Sequence, residues 1–164
     1  MAKRSKNDGK DAGRFRDVAR NRRAFYEYEI VDRLEAGLVL TGSEVKGLRG
    51  RGATISDAYV QIRGGEAWLV GAHISEFDQA GVMGHDPRRT RKLLLHRREI
   101  ERLASALAEK GLALVPLRLY FKDGLAKAEL GLGRGKAVYD KRRTIAERDA
   151  RRDADRAVKA VRRR

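Results

Sequence analysis

The chain has 164 residues, 37% of them charged, with a net charge of +15 and no cysteine. That length suits one domain with tails, and the absence of thiols excludes disulfides, zinc ribbons and cysteine nucleophiles. The charge is far above the ~2–8 of an ordinary small domain and predicts a polyanionic partner, nucleic acid before membrane.

The opening MAKRSKNDGK lacks the apolar stretch of a secretory signal. No apolar run nears the ~20 residues that span a bilayer. A cytoplasmic protein without a membrane partner is expected. The charge is unevenly placed. Residues 1–23 hold nine Lys/Arg against three Asp, and Asp140–Arg164 hold eleven against five acids, so each end carries +6. Arg88–Arg102 adds a basic patch of seven Arg/Lys against two Glu. The arms are poor in rings, which suits phosphate contact rather than base stacking.

In chain order, residues 1–20 read as a flexible basic arm, with order beginning near Asn21. Phe25–Asp32 (FYEYEIVD) alternates with period two and predicts a half-buried strand. Leu34–Leu40 is a second apolar run, bent by Gly37. In TGSEVKGLRG, Thr41 or Ser43 can cap a short helix whose first turn Glu44 favours, with Gly47 and Gly50 stopping it. Ala58–Arg63 and Glu66–His73 read as a hairpin around Gly64-Gly65. Residues 75–90 read as a long loop. His96–Lys110 is the clearest helix, with Ile100, Leu103, Ala104 and Leu107 on one face and Gly111 just past its end. Leu112–Phe121 and Leu125–Leu132 flank an Asp123-Gly124 turn, and Pro116 marks an edge or a bulge. Gly131–Lys136 reads as a strand end passing into a glycine hinge. Many short strands with few helices predict a mainly β protein built on a small closed barrel. Strand count does not separate an OB-type barrel from an SH3-like one.

No catalytic or metal constellation emerges. His73, His85 and His96 have no metal-ligand spacing, and each reads as packed or exposed. GLGRGK lacks the first glycine and the Ser/Thr of a phosphate loop. Glu27 and Glu29, with Glu35 nearby, read as surface charges rather than an acid/base pair. The expected function is RNA binding, not enzymatic. A ribosomal or rRNA-assembly protein would explain the charge and the fold equally well, and an RNA-processing enzyme fits poorly.

The strings NRRAFYEYEI, EAGLVLTGSEVKGLR, ISDAYV, GEAWLVGAHI, DPRRTRKLLLHRREI, LYFKDGLAK and GKAVYDKR, in this order, closely resemble the SsrA-binding protein (small protein B) family, bacterial partners of transfer-messenger RNA. The resemblance runs from about Asn21 to the C-terminus. It implies an OB-fold-like RNA-binding barrel over 21–137 with flanking short helices. A basic tail over 138–164 is expected to be disordered when free and helical on the ribosome. It implies binding to the tRNA-like domain of transfer-messenger RNA, and delivery, with an elongation-factor GTPase, to ribosomes stalled on non-stop mRNA. Small-subunit rRNA would receive the tail in the decoding centre and empty mRNA channel. Tagging of the nascent peptide and release of the ribosome would follow. No catalysis, cofactor or metal is implied.

The family's RNA surface maps onto Asn21, Glu35, Leu94, His96 and Gly135. An asparagine amide can donate and accept at a base edge or ribose. Glu35 can accept from a base amino group or a 2′-hydroxyl. Leu94 can pack on RNA or in the core, whereas Leu93 and Leu95 read as structural. Arg88, Arg89, Arg91 and Lys92 are the phosphate candidates. Tyr139, Asp140, Lys141 and Arg142 are the implied decoding-centre contacts, Tyr139 standing where the family often has His. His96 stands where it often has Asn, and Ala150 and Ala157 stand near positions where some relatives have a larger aromatic and bulkier aliphatics. Beyond Arg143 the apolar stripe is thin and mostly alanine, too little to hold a free helix.

Overall fold

The computed structural model describes residues 15–76, 84–109 and 111–162, with the backbone alone for Val138 and Tyr139. Most of the expected basic arm, the middle of the 75–90 loop and the expected helix end at Lys110 lie outside the described residues.

Order begins before Asn21. Strand β1 (Phe15–Arg20) pairs antiparallel with β8 (Leu112–Lys122), from Phe15 opposite Lys122 to Arg20 opposite Arg118. A basic segment can hold an edge here because Val18 and Ala19 pack on the core and Phe15 stacks on Tyr120 at 4.8 Å. Residues 22–27 form a short helix, α1 (Arg22–Glu27), not the start of a strand. Asn21 explains the difference. Its side-chain oxygen accepts from Ala24 N–H at 3.0 Å, and its amide donates to the carbonyls of Ile55 and Pro116 at 3.2 and 2.9 Å. Capping overrides the period-two pattern, and Ala24 is buried against Val115 and Leu117.

The alternation resumes in β2 (Tyr28–Leu38), which runs unbroken through Gly37. Helix α2 (Gly42–Gly50) opens on a capping box between Thr41 and Glu44. Gly47 does not stop it. A Cβ there would lie 2.1 Å from the Ser75 carbonyl oxygen, so Gly47 admits the close approach of a neighbouring chain segment.

Strands β3 (Ala53–Thr54) and β6 (His73–Ile74) form a small second sheet. Strands β4 (Tyr59–Arg63) and β5 (Glu66–Val70) make the expected hairpin, and both turn glycines have positive φ. The return strand breaks at Gly71 (φ 79°) rather than running on to His73. Strand β7 (Arg91–Leu94) was not expected; it pairs with β5 on one side and β2 on the other. Helix α3 (Arg97–Leu107) buries Leu103 as the periodicity predicts.

Strands β8 and β9 (Leu125–Gly135) form the long hairpin, with Asp123 and Gly124 both at positive φ. Pro116 sits at the bulge in their register. The expected glycine hinge is part of β9. A Cβ on Gly131 would meet Leu117 at 2.8 Å, and one on Gly133 would meet Tyr28 at 2.7 Å, so these glycines make room for the larger side chains across the ladder. Helix α4 (Val138–Arg162) follows β9, over the segment expected to be helical on the ribosome.

The main sheet has seven strands in the order β1-β8-β9-β2-β7-β5-β4. No closed ladder is found among the described residues: β1 and β4 stay as edges, and β4 approaches β8 by packing rather than by hydrogen bonding. The larger hydrophobic core, including Ala36, Ile55, Leu69, Leu93, Leu119 and Leu130, packs against this sheet, and a smaller one joins Ala24 to Val115 and Leu117.

Candidate RNA-binding surface

Side chains alternate across a sheet, so β2 turns Ala36 and Leu38 inward and Arg33 and Glu35 outward. On β7, Arg91 and Leu93 point inward, Lys92 and Leu94 outward. Gly37 faces Leu94 across the β2–β7 ladder, and a Cβ on Gly37 would lie 3.2 Å from that of Leu94. Leu94 therefore lies over bare backbone and is 56% exposed. Three expected contacts, Glu35, Leu94 and His96, line one groove with Leu95 and Lys127.

Glu35 is not a bare surface charge. The Tyr120 hydroxyl donates to it, and the ammonium groups of Lys122 and Lys127 lie 3.7 and 3.9 Å away. The Tyr120 hydrogen bond and the two lysines outweigh burial and hold the carboxyl below its ordinary range. Burial, then the bond to Glu35, pushes the Tyr120 phenol upward. A carboxylate acceptor thus stands in the groove, with a leucine face beside it. His96 precedes α3, and its backbone N–H donates to Glu99 at 2.9 Å, leaving the ring exposed. An acceptor, an apolar face and an exposed ring together suit a folded RNA, whose 2′-hydroxyls and base edges offer donors.

Asn21 and Gly135 do not join this groove. Asn21 is only 2% exposed, and its amide is spent on the cap and two carbonyls, so it supports structure instead of reading a base. Gly135 lies opposite Tyr28 at the far end of the β2–β9 ladder, six residues or about 20 Å from Glu129, the partner of Glu35.

The four phosphate candidates separate. Arg91 is fully buried. Its Nε lies 3.3 Å from Glu44, and its other nitrogens donate to the carbonyls of Ala72 and Pro87 at 2.9 and 3.0 Å. It cannot meet a phosphate, because β7 turns it inward. Arg89 grips the buried Glu44 with two hydrogen bonds, at 2.7 and 3.0 Å. Lys92 pairs with Glu66 at 2.7 Å and stays partly exposed. Arg88 is exposed, with no side-chain partner among the described residues. Glu44 is the residue that sequence reasoning missed. Its capping-box spacing was visible, but not its burial between two arginines. Burial would raise its carboxyl; the Arg89 hydrogen bond and the charges of Arg91 and Arg89 prevail and hold it low. Burial in turn lowers Arg91, against the pull of Glu44.

The expected ribosome contacts lie at the start of α4, where Asp140 and Arg142 are exposed. Lys141 sits 5.9 Å from the Tyr26 ring, and Lys136 donates to Thr144 at 2.9 Å, tying this turn to the body. The side chain of Tyr139 lies outside the described residues. From Ile145 onward every described side chain of the helix is exposed. Among the described residues no helix is long and apolar enough to cross a membrane.

Comparison with known proteins bears on this surface. The model of the family described as "SmpB protein" matches residues 18–160. An SsrA-binding protein of Streptomyces avermitilis is 53% identical over 163 residues, covering 96% of this chain and 92% of the relative. One of Pelotomaculum thermopropionicum is 52% identical over 142 residues, covering 87% and 93%. A chain from a solved structure described as "tmRNA-SmpB: a journey to the center of the bacterial ribosome" superposes with a TM-score of 0.63 at 43% identity, covering 74% of this chain and 86% of that one.

Proposed function

The chain belongs to the SmpB protein family, and from that premise we propose that it binds transfer-messenger RNA and serves trans-translation, the rescue of ribosomes stalled on non-stop mRNA. The tRNA-like domain of the RNA sits in the Glu35 groove. Tyr120, Lys122 and Lys127 keep Glu35 ionised as an acceptor, Leu94 supplies an apolar face, and Arg88 and Lys92 take nearby phosphates. Arg89 and Arg91 act from beneath by fixing that strand. The single observation that carries this reading is the meeting of Glu35, from β2, with Leu94 and His96, from the end of β7 and the residue before α3, at one groove.

Helix α4 is the second site. Asp140, Lys141 and Arg142, with Tyr139, meet small-subunit rRNA at the decoding centre, and the exposed basic helix follows the empty mRNA channel. An exposed helix with an alanine stripe is marginal in water, so the free tail frays and becomes fully helical on the ribosome. The protein performs no chemistry itself and works in the cytoplasm, and an elongation-factor GTPase brings the complex.

Two variants test the division of labour. Glu35→Arg places a cation beside Lys122 and Lys127 and removes the acceptor. We expect transfer-messenger RNA binding to fall at least tenfold in a filter-binding titration, with the thermal transition little changed. A chain ending at Arg143 should keep that binding and lose peptide tagging in a reconstituted non-stop translation assay. Loss of RNA binding on truncation refutes the two-site reading.

A further inference from the structure

A second groove lies along the outward face from Glu35. It is about 390 Å³ in volume and is lined by Phe25, Arg20, Arg22, Arg33, Arg118 and Glu129. That volume lies within the ~300–1,000 Å³ of small-ligand sites. Phe25 projects from α1 with 39% of its surface exposed, although it is a large apolar ring. Arg33, from β2, lies over the ring at 5.4 Å. The ring belongs to neither hydrophobic core, and α1 is anchored through Ala24.

The charge is unbalanced. Glu129 is shared between Arg33 at 3.6 Å and Arg118 at 3.2 Å. Asp17 is shared between Arg20 and Arg118. Arg22 carries no ion pair among the described residues. Four guanidinium groups thus face two carboxylates around an exposed aromatic ring. A neighbouring step repeats the pattern, with Arg118 at 4.9 and 4.7 Å from the stacked rings of Phe15 and Tyr120. Arginine forks suit phosphate, and an aromatic face suits a base of any identity.

We infer that the Phe25 groove is a second RNA site, which holds one unpaired nucleotide of an RNA strand with its base against Phe25 and Arg33 and its phosphate on Arg20 and Arg22. The inference rests on the reading of this protein as an RNA binder, but not on the Glu35 groove. Recognition is indifferent to sequence, because the groove offers stacking and charge with little base-edge chemistry. It would hold a strand that passes α1, outside the folded region seated at Glu35.

The test uses the full chain with a fluorescent hexauridylate, an RNA too short to fold, read by anisotropy. Intact transfer-messenger RNA is titrated in parallel. Phe25→Ala should weaken hexamer binding about tenfold, whereas Phe25→Tyr should keep it within about twofold. Arg22→Gln should lower the salt slope of hexamer binding by about 0.7. Uridine monophosphate, which carries the same base and phosphate, should displace the hexamer only at concentrations far above those at which unlabelled hexamer does. Thermal melts of each variant report the fold; should Phe25→Ala unfold, Arg22→Gln decides alone. Unchanged hexamer affinity in a folded Phe25→Ala, or an unchanged salt slope in Arg22→Gln, overturns the inference. If the wild type binds neither RNA, the RNA-binding reading itself fails.

Discussion

Glu44 and Arg91 are both removed from solvent and lie 3.3 Å apart, and against burial the Arg89 hydrogen bond and then the Arg91 charge hold the Glu44 carboxyl low. A buried pair of this kind adds little net stability over an apolar substitute, but losing one member leaves the other uncompensated. Glu44→Gln should therefore cost about 3–5 kcal/mol, measured by urea denaturation at pH 7. The pH dependence has a defined sign. The Glu44 carboxyl is held below its ordinary value of about 4.3 in the fold. Its contribution is thus fully present above that value and is lost as the pH falls through the lower folded value. Between pH 6 and pH 3 the wild type should lose more stability than Glu44→Gln does. Equal losses would show that Glu44 is not the group being titrated.

Among the elements, α2 shows how the same residue type can carry opposite requirements. Gly47 and Gly50 are indistinguishable in the sequence, and both read as helix stops. The Ser75 carbonyl lies against Gly47, while nothing lies within 4 Å of a Cβ placed on Gly50. Gly47→Ala should destabilise by about 1–3 kcal/mol, because backbone must move. Gly50→Ala, at ordinary helical φ, should be neutral or stabilising by up to about 1 kcal/mol. Paired thermal melts check both signs. A stabilising Gly47→Ala would mean that α2 and the segment after β6 are not packed as described.

Across the whole molecule, charge serves in two ways that composition cannot separate. Some of it faces solvent, as in α4, and some is structural, as in Arg91. Removing residues after Arg143 takes away eight Lys/Arg and four Asp/Glu. The slope of affinity for non-specific single-stranded RNA against salt should fall by about 0.7 for each phosphate that the tail no longer neutralises. An unchanged slope would mean the tail touches no RNA. The two hairpins and α3 were legible in the sequence because turn glycines and periodicity are local signals. Strand β1 was not, because Phe15 and Ala19 are scattered among charges and find their partners roughly 100 residues away on β8. Asn21 entered as a base-edge or ribose contact by resemblance alone, and the sequence around it carries no mark of its burial. The groove was legible only by resemblance: Glu35, Leu94 and His96 meet through the β2–β7 pairing, which no short-range pattern encodes.

That the first strand is held by the eighth has a consequence for how the protein is made. The Asn21 amide joins carbonyls at residues 55 and 116, and the ladder order β1-β8-β9-β2 depends on segments that leave the ribosome late. At about 5–20 residues per second, β1 waits on the order of 5–20 s for its partner. During that interval the growing chain has neither the Asn21 junction nor the Tyr120 hydroxyl beside Glu35. A product that stops short of β8 cannot complete the groove, so unfinished copies of this protein should not compete with finished ones for RNA.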